Sequence, residues 1–174
     1  MKLLVLATVT LIGLGGCAPR SSLDARESEF ALRAASNGVL AGWLAAGALS
    51  HAAREDVREF AYAVIEDHRR GFRGLEEAAA KANLRLPQEM TPEDEQAYIR
   101  LTSLRGDTFD RAYLQATIEE QEQAVVAFRA AAAHSDSDVG RWAAETLPTL
   151  EKHLARAREL AERSATVSAS LPKR

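Results

Sequence analysis

The sequence predicts an all-α protein: a bundle of four long amphipathic helices with a short extra helix between the second and third. Three observations carry that expectation. Apolar residues recur at three-four spacing over long stretches, while valine and isoleucine nowhere alternate at period two as strands require. Hydrophobic residues make up 47% of the chain but aromatics only 6%, and alanine runs such as Ala130 to Ala133 suit closely packed helices. The five prolines fall at ends, connections or recognisable breaks. A helical solenoid would need a repeat of roughly 34 or 40 residues, and none is visible.

The chain opens with a segment that reads as a leader. Met1-Lys2 carries one positive charge, and Leu3 to Leu14 is an uncharged apolar run of about a dozen residues, the size of a signal-peptide core. A bilayer span needs roughly 20 apolar residues, so this run is too short. Gly15 and Gly16 are small enough for a peptidase cleft, and Cys17, the single cysteine, follows directly. The arrangement resembles the bacterial lipoprotein box. Residues 1–16 are thus expected to be a signal peptide, Cys17 a lipid attachment point, and 17–27 a short tether containing Pro19. An ordinary secreted protein with a thiol near the cleavage site is the alternative. A lone cysteine offers no internal disulfide, so packing alone must hold the fold in an oxidising compartment.

A single domain is expected over residues 28–163. Its first helix runs from about Glu29 to Ser50, with Phe30, Ala34, Asn37, Ala41, Leu44 and Ala48 facing inward. The second spans about Glu55 to Asn83 on a stripe through Val57, Phe60, Val64, His68, Phe72 and Leu75. Thr91-Pro92-Glu93-Asp94 places an N-cap before a proline at the first helical position, starting the short helix that ends near Leu104. After Gly106 comes a third long helix with a seam of Leu114, Ile118, Gln121, Val125 and Phe128. The polar turn from His134 to Asp138 precedes the fourth, which presents Val139, Ala143, Thr146, Leu150, His153, Ala157 and Leu160 inward. Pro148 removes one backbone donor, and a kink is expected around it. Residues 164–174 read as a frayed tail.

His68, Gln121 and His153 each occupy an inward position near the middle of a helix, so antiparallel packing would gather them in one polar layer. Bundles of this type build metal sites at that level. Asp67 and Glu120 are acidic neighbours, making His68, His153 and Glu120 the candidate ligands for iron, copper or zinc. The Glu-x-x-His spacing that would bring carboxylate and imidazole to one helical face is missing at both histidines: Ile65 stands three residues before His68 and Leu150 three before His153. Hydrogen-bonded core histidines are therefore the favoured reading, and no cofactor is expected. Asp110 and Tyr113 share a face with Thr117, which suggests a buried tyrosine-carboxylate hydrogen bond as part of a structural polar seam with Gln121 and Asp67. Trp43 and Trp142 read as packing anchors, His51 and His134 as end or turn residues.

Val57 to Ala61, Asp67-His68, Phe109-Asp110-Arg111-Ala112-Tyr113-Leu114 and the stretch from Thr146 to His153 together resemble the bacterial family known as domain of unknown function 4142. The resemblance covers about Phe30 to Leu160. It implies a ferritin-like fold and exported members, often lipoproteins, and it implies no established reaction. Relatives commonly carry glutamates in the first helix where this chain has Ala41 and Trp43, and an Asp-His pair where it has Glu120-Gln121. If the family's inward groups bind metal, this chain retains His68 and His153, with Glu120 as an acid.

No nucleophile stands beside an activating base and no glycine-rich phosphate loop occurs, so no catalytic residue is assigned and no enzyme is expected. The formal charge of −3 with interspersed signs lacks the clustered Lys and Arg of a nucleic-acid surface. The expected protein is a non-enzymatic, lipid-anchored envelope domain with an unknown protein partner. Ala18 after Cys17 suits sorting to the outer membrane, facing the periplasm. A metal-binding or redox protein with a degraded central site is the alternative. A bundle exposing its apolar seam as a stress-protective chaperone is a third possibility.

Overall fold

The computed structural model describes residues 23–134 and 136–170, so the expected signal peptide, Cys17 and most of the tether lie outside the described residues. Five helices and no strands are present among them: α1 (Ala25–His51), α2 (Glu55–Lys81), α3 (Pro92–Thr102), α4 (Gly106–Ala132) and α5 (Asp138–Ser170).

The helix ends follow from local chemistry. α1 starts four residues ahead of expectation because Asp24 and Glu27 form a capping box, each side chain accepting the other's backbone N–H at 2.8 and 2.9 Å. Part of the expected tether is therefore helical. α2 ends where Asn83 takes a left-handed φ of 55° and the Leu84 N–H returns to the Ala79 carbonyl at 2.9 Å. Thr91 caps α3, with Asp94 completing a second box and Pro92 at its first position, as its sequence foretold. α5 runs through Pro148 and on to Ser170, seven residues past the expected end near Arg163. One reason is visible at Ser164: its hydroxyl donates to the Leu160 carbonyl and accepts from the Arg54 guanidinium.

Two apolar clusters fix the helix directions. One joins the start of α1 (Phe30) and of α5 (Trp142) to the end of α2 (Leu75) and of α4 (Phe128). The other joins the end of α1 (Ala48) and of α5 (Leu160) to the start of α2 (Phe60) and of α4 (Phe109). Hence α1 and α2 are antiparallel, as are α4 and α5, and α2 and α4 run parallel through a long crossover that carries α3. Tight turns make the hairpins. Between α4 and α5, the backbone of Gly140 passes so close to His134 that a Cβ would collide with its carbonyl. α3 lies on α1, where Thr102 and Tyr98 close over Gly47.

The corner between α1 and α2 is fastened from across the molecule. Asp110 of α4, 1% exposed, accepts the backbone N–H groups of Ala53 and Arg54, each at 3.0 Å. A carboxylate at this place satisfies donors at the start of α2 and complements its dipole. The expected Asp110–Tyr113 hydrogen bond is thus replaced: the α2 end offers two donors and claims both carboxylate oxygens. Arg54 also forks onto Asp56 at 2.7 and 2.9 Å and donates to the Leu160 carbonyl at 2.9 Å, tying the same corner to α5.

Candidate functional site

Midway between the two apolar clusters, each long helix changes character. His68 of α2, Glu120 and Gln121 of α4 and His153 of α5 all fall at this level, and α1 turns a stripe of small residues toward it, Ala34, Gly38, Gly42 and Ala46, spaced four apart and flanked by Arg33, Asn37 and Trp43. Four residues make a little over one helical turn, so this stripe stays on one face and recedes from the axis. A cleft of about 1000 Å³ results, lined by all four long helices. A Cβ built on Gly42 would meet nothing within 4 Å, and one on Gly38 would stand 3.7 Å from His68 Nδ1. Phe72, Leu75, Phe128, Trp142 and Leu150 give the cleft its apolar wall.

The polar layer is organised by one hydrogen bond. His153, 3% exposed, holds its Nε2 2.9 Å from Asp67 Oδ2, and Asp67 is also paired with Arg70. Burial works against the Asp67 carboxylate, but the His153 and Arg70 contacts outweigh it and keep its pKa below the usual range. Burial lowers the His153 pKa, Asp67 opposing. The imidazoles of His68 and His153 stack at 6.0 Å with planes 12° apart. Burial, and next the neighbouring His153, push His68 down to about 4, so it is neutral near pH 7. Asp67 and His153 also line a second cavity of about 490 Å³ beside Lys152 and Arg156, so their bond forms part of the wall between the two.

On α4, Glu120 accepts from the Gln121 amide at 2.7 Å, yet burial raises its carboxyl to about 7. Four buried polar atoms make no hydrogen bond within the described residues: His68 Nε2, His153 Nδ1, Gln121 Oε1 and the Tyr113 hydroxyl. Burial also raises the Tyr113 phenol pKa. Chemically the cleft is an apolar chamber with neutral imidazole and a carboxyl of raised pKa on its walls. Such a chamber is suited to holding a molecule by shape and a few hydrogen bonds.

The sequence-derived candidates are partly united. His68, His153, Glu120 and Asp67 line one cleft. Gln121 is fully buried behind it, and Asp110 and Tyr113 belong to the other end of the molecule. Among the described residues no group of three or more His, Cys, Asp or Glu side chains is placed to hold a metal ion. With the two rings stacked and His153 Nε2 on Asp67, His68, His153 and Glu120 do not form a coordinating set. Asn37, expected inward, is exposed because α1 turns Ala31, Ala35 and Ala45 to the core. Trp142 is the anchor expected, its Nε1 donating to the Gly71 carbonyl at 2.8 Å, whereas Trp43 is 49% exposed and packs edge-on to Tyr98. Sequence reasoning missed the cleft itself, although the small residues at 34, 38, 42 and 46 were its signal.

No curated protein matches the sequence. The described fold is similar to the crystal structure of a DUF305 fragment from Deinococcus radiodurans, with a TM-score of 0.70 at 19% identity, covering 82% of this chain and 99% of that one. That likeness shows a shared helical fold. The family model described as a domain of unknown function, DUF4142, matches residues 16–160, and the chain belongs to that family.

Proposed function

We propose that this protein is a lipid-anchored binding protein of the cell envelope, and that its helical domain is a ferritin-like four-helix bundle which holds a small, largely apolar molecule without transforming it. The observation behind the binding role is the cleft of about 1000 Å³, at the upper end of the range for small-molecule sites and mostly apolar with a few polar groups. The parallel α2 and α4 joined by a long crossover support the ferritin-like bundle. Cys17 behind Gly15-Gly16 supports the anchor, and Ala18 supports placement on the periplasmic side of the outer membrane. No helix among the described residues is long and apolar enough to cross a membrane. An envelope protein partner is part of the proposal, nucleic acid is not.

The binding role is tested by thermal unfolding of the full-length protein against a panel of apolar and amphipathic compounds. A compound that binds the native state raises the midpoint by mass action, and Gly42→Leu, which fills the cleft, should cancel the rise. Equal shifts in wild type and Gly42→Leu, or none at all, would remove the cleft from the function. For the anchor, Cys17→Ser should abolish acyl labelling and release the protein from the membrane fraction; retention after a high-salt wash would mean another anchor.

A metal-binding reading is favoured only by the presence of His68, His153 and Glu120 on one cleft. It requires both rings to turn. Iron, copper or zinc should then raise the unfolding midpoint, and His68→Ala with His153→Ala should abolish the effect.

A further inference from the structure

The charged residues at the mouth of the cleft narrow the class of molecule it takes. α1 and α2 are antiparallel and in register where Gly38 faces His68, 3.7 Å from a Cβ to Nδ1. Arg33 lies five residues before Gly38 and Arg73 five after His68, so the hairpin brings these two positions to one level, as it does Asn37 and Arg69 one turn nearer. All four line the cleft. Arg69 is paired with Glu66 at 2.9 Å, and Arg33 reaches Glu29 only at 3.6 Å with both side chains more than half exposed. Arg73 makes no ion pair among the described residues.

The carboxyls facing these cations are few. Asp67 is already held by His153 and Arg70, and Glu120 stands on α4 bonded to Gln121. Glu76, one turn beyond Arg73, is the remaining acid on the lining. Behind the arginines the wall is apolar, from Phe72 and Leu75 to Phe128 and Trp142, and Gly42 of α1 leaves open space beside it. Guanidinium forks match the planar oxygens of carboxylate and the oxygens of phosphate.

We propose, resting on the binding role above, that the cleft takes a single-chain amphiphile with a small anionic head: the head meets Arg33 and Arg73 at the mouth, and the hydrocarbon chain runs inward past Phe72 and Trp142 toward Gly38 and Gly42. A free fatty acid and a lysophosphatidate share this chemistry.

Trp142 and Trp43 both line the cleft, so their fluorescence reports binding to the full-length protein. Palmitate should give a saturable change, and each methylene removed from the chain should weaken binding about fourfold. Arg33→Gln with Arg73→Gln should weaken palmitate about tenfold, with the helical circular dichroism unchanged. Methyl palmitate and hexadecylamine should bind more weakly than palmitate. Palmitoyl lysophosphatidate, compared with palmitate, separates the two sources, and tighter binding of either one supports the inference. Hexadecylamine binding as tightly as palmitate, or a double arginine variant with unaltered affinity, would overturn the anionic head while leaving the cleft as a binding site. Absence of a response to every amphiphile, with wild type and Gly42→Leu indistinguishable, would overturn both.

Discussion

His68 and Glu120 face one cleft and shift in opposite directions, which gives the protein an unusual dependence on acid. The folded His68 titrates near 4 rather than 6.5, so the unfolded chain binds its proton first and stability falls as pH drops through that window, by roughly 3 kcal/mol. The folded Glu120 titrates near 7 rather than 4.5, so the native state binds its proton first and stability rises as pH drops from 7 to 4.5, by a similar amount. The two offset, and the wild type should be nearly level between about pH 4.5 and 6.5. His153, also depressed, tilts it toward loss on the acid side. Urea unfolding of Glu120→Gln should expose a steep loss on acidification, and His68→Gln should reverse the slope; parallel curves for all three proteins would contradict these shifts. Asp110 offers a separate check. Asp110→Ala removes the acceptor of two backbone donors and should cost about 3 kcal/mol, with Asp110→Asn costing less because one oxygen survives. The polar layer was legible in the sequence because His68, Gln121 and His153 sit on apolar seams. The partner of Asp110 was not, since it lies on a connection more than fifty positions away. Nor could spacing reveal that His153 chooses Asp67.

Single glycines separate packing from open space along the helices. Gly42→Ala has room and gains helix propensity, so it should stabilise the protein by up to about 1 kcal/mol. Gly74→Ala places a Cβ 2.9 Å from Trp142 Cδ1, and the ring is held by its bond to Gly71; a loss of about 1–3 kcal/mol is expected in spite of the same propensity gain. Thermal or urea unfolding of the two variants side by side checks both, and equal effects would contradict the open face of α1. Helix existence and order were readable from periodicity, and the Thr91-Pro92 start of α3 from its capping chemistry. The start of α1 was overlooked because Asp24 and Glu27 lie among polar residues that read as tether, although their spacing is that of a capping box. The far end of α5 was cut short for a related reason: beyond Arg163 the apolar period fades, and backbone continuity there does not depend on it. On α1 the expected stripe holds at Phe30, Ala41 and Ala48 and fails at Asn37, where Ala31, Ala35 and Ala45 face the core instead, because an alanine-rich helix offers several faces of nearly equal hydrophobicity.

At the scale of the whole molecule, two apolar clusters hold the helix ends together while a cleft opens from the middle level along the first of them, and this division is what a binding role requires. The ends supply stability, through Phe30, Trp142 and Phe128 on one side and Phe60, Phe109 and Leu160 on the other. The middle supplies volume and a few polar atoms without partners. Such a cleft is hard to foresee from sequence, because space is made by what four helices omit together. Attachment through Cys17 would keep the cleft beside a membrane, within reach of the amphiphiles it is proposed to take. The most direct measurement is native mass spectrometry of the full-length protein isolated from the membranes of its own cells, beside the Gly42→Leu variant. A non-covalent adduct with the mass of a fatty acid or lysophosphatidate, present in the wild type and lost in the variant, is the expected result. A bare protein mass in both, or the same adduct on both, would contradict the proposal that this cleft is the functional site.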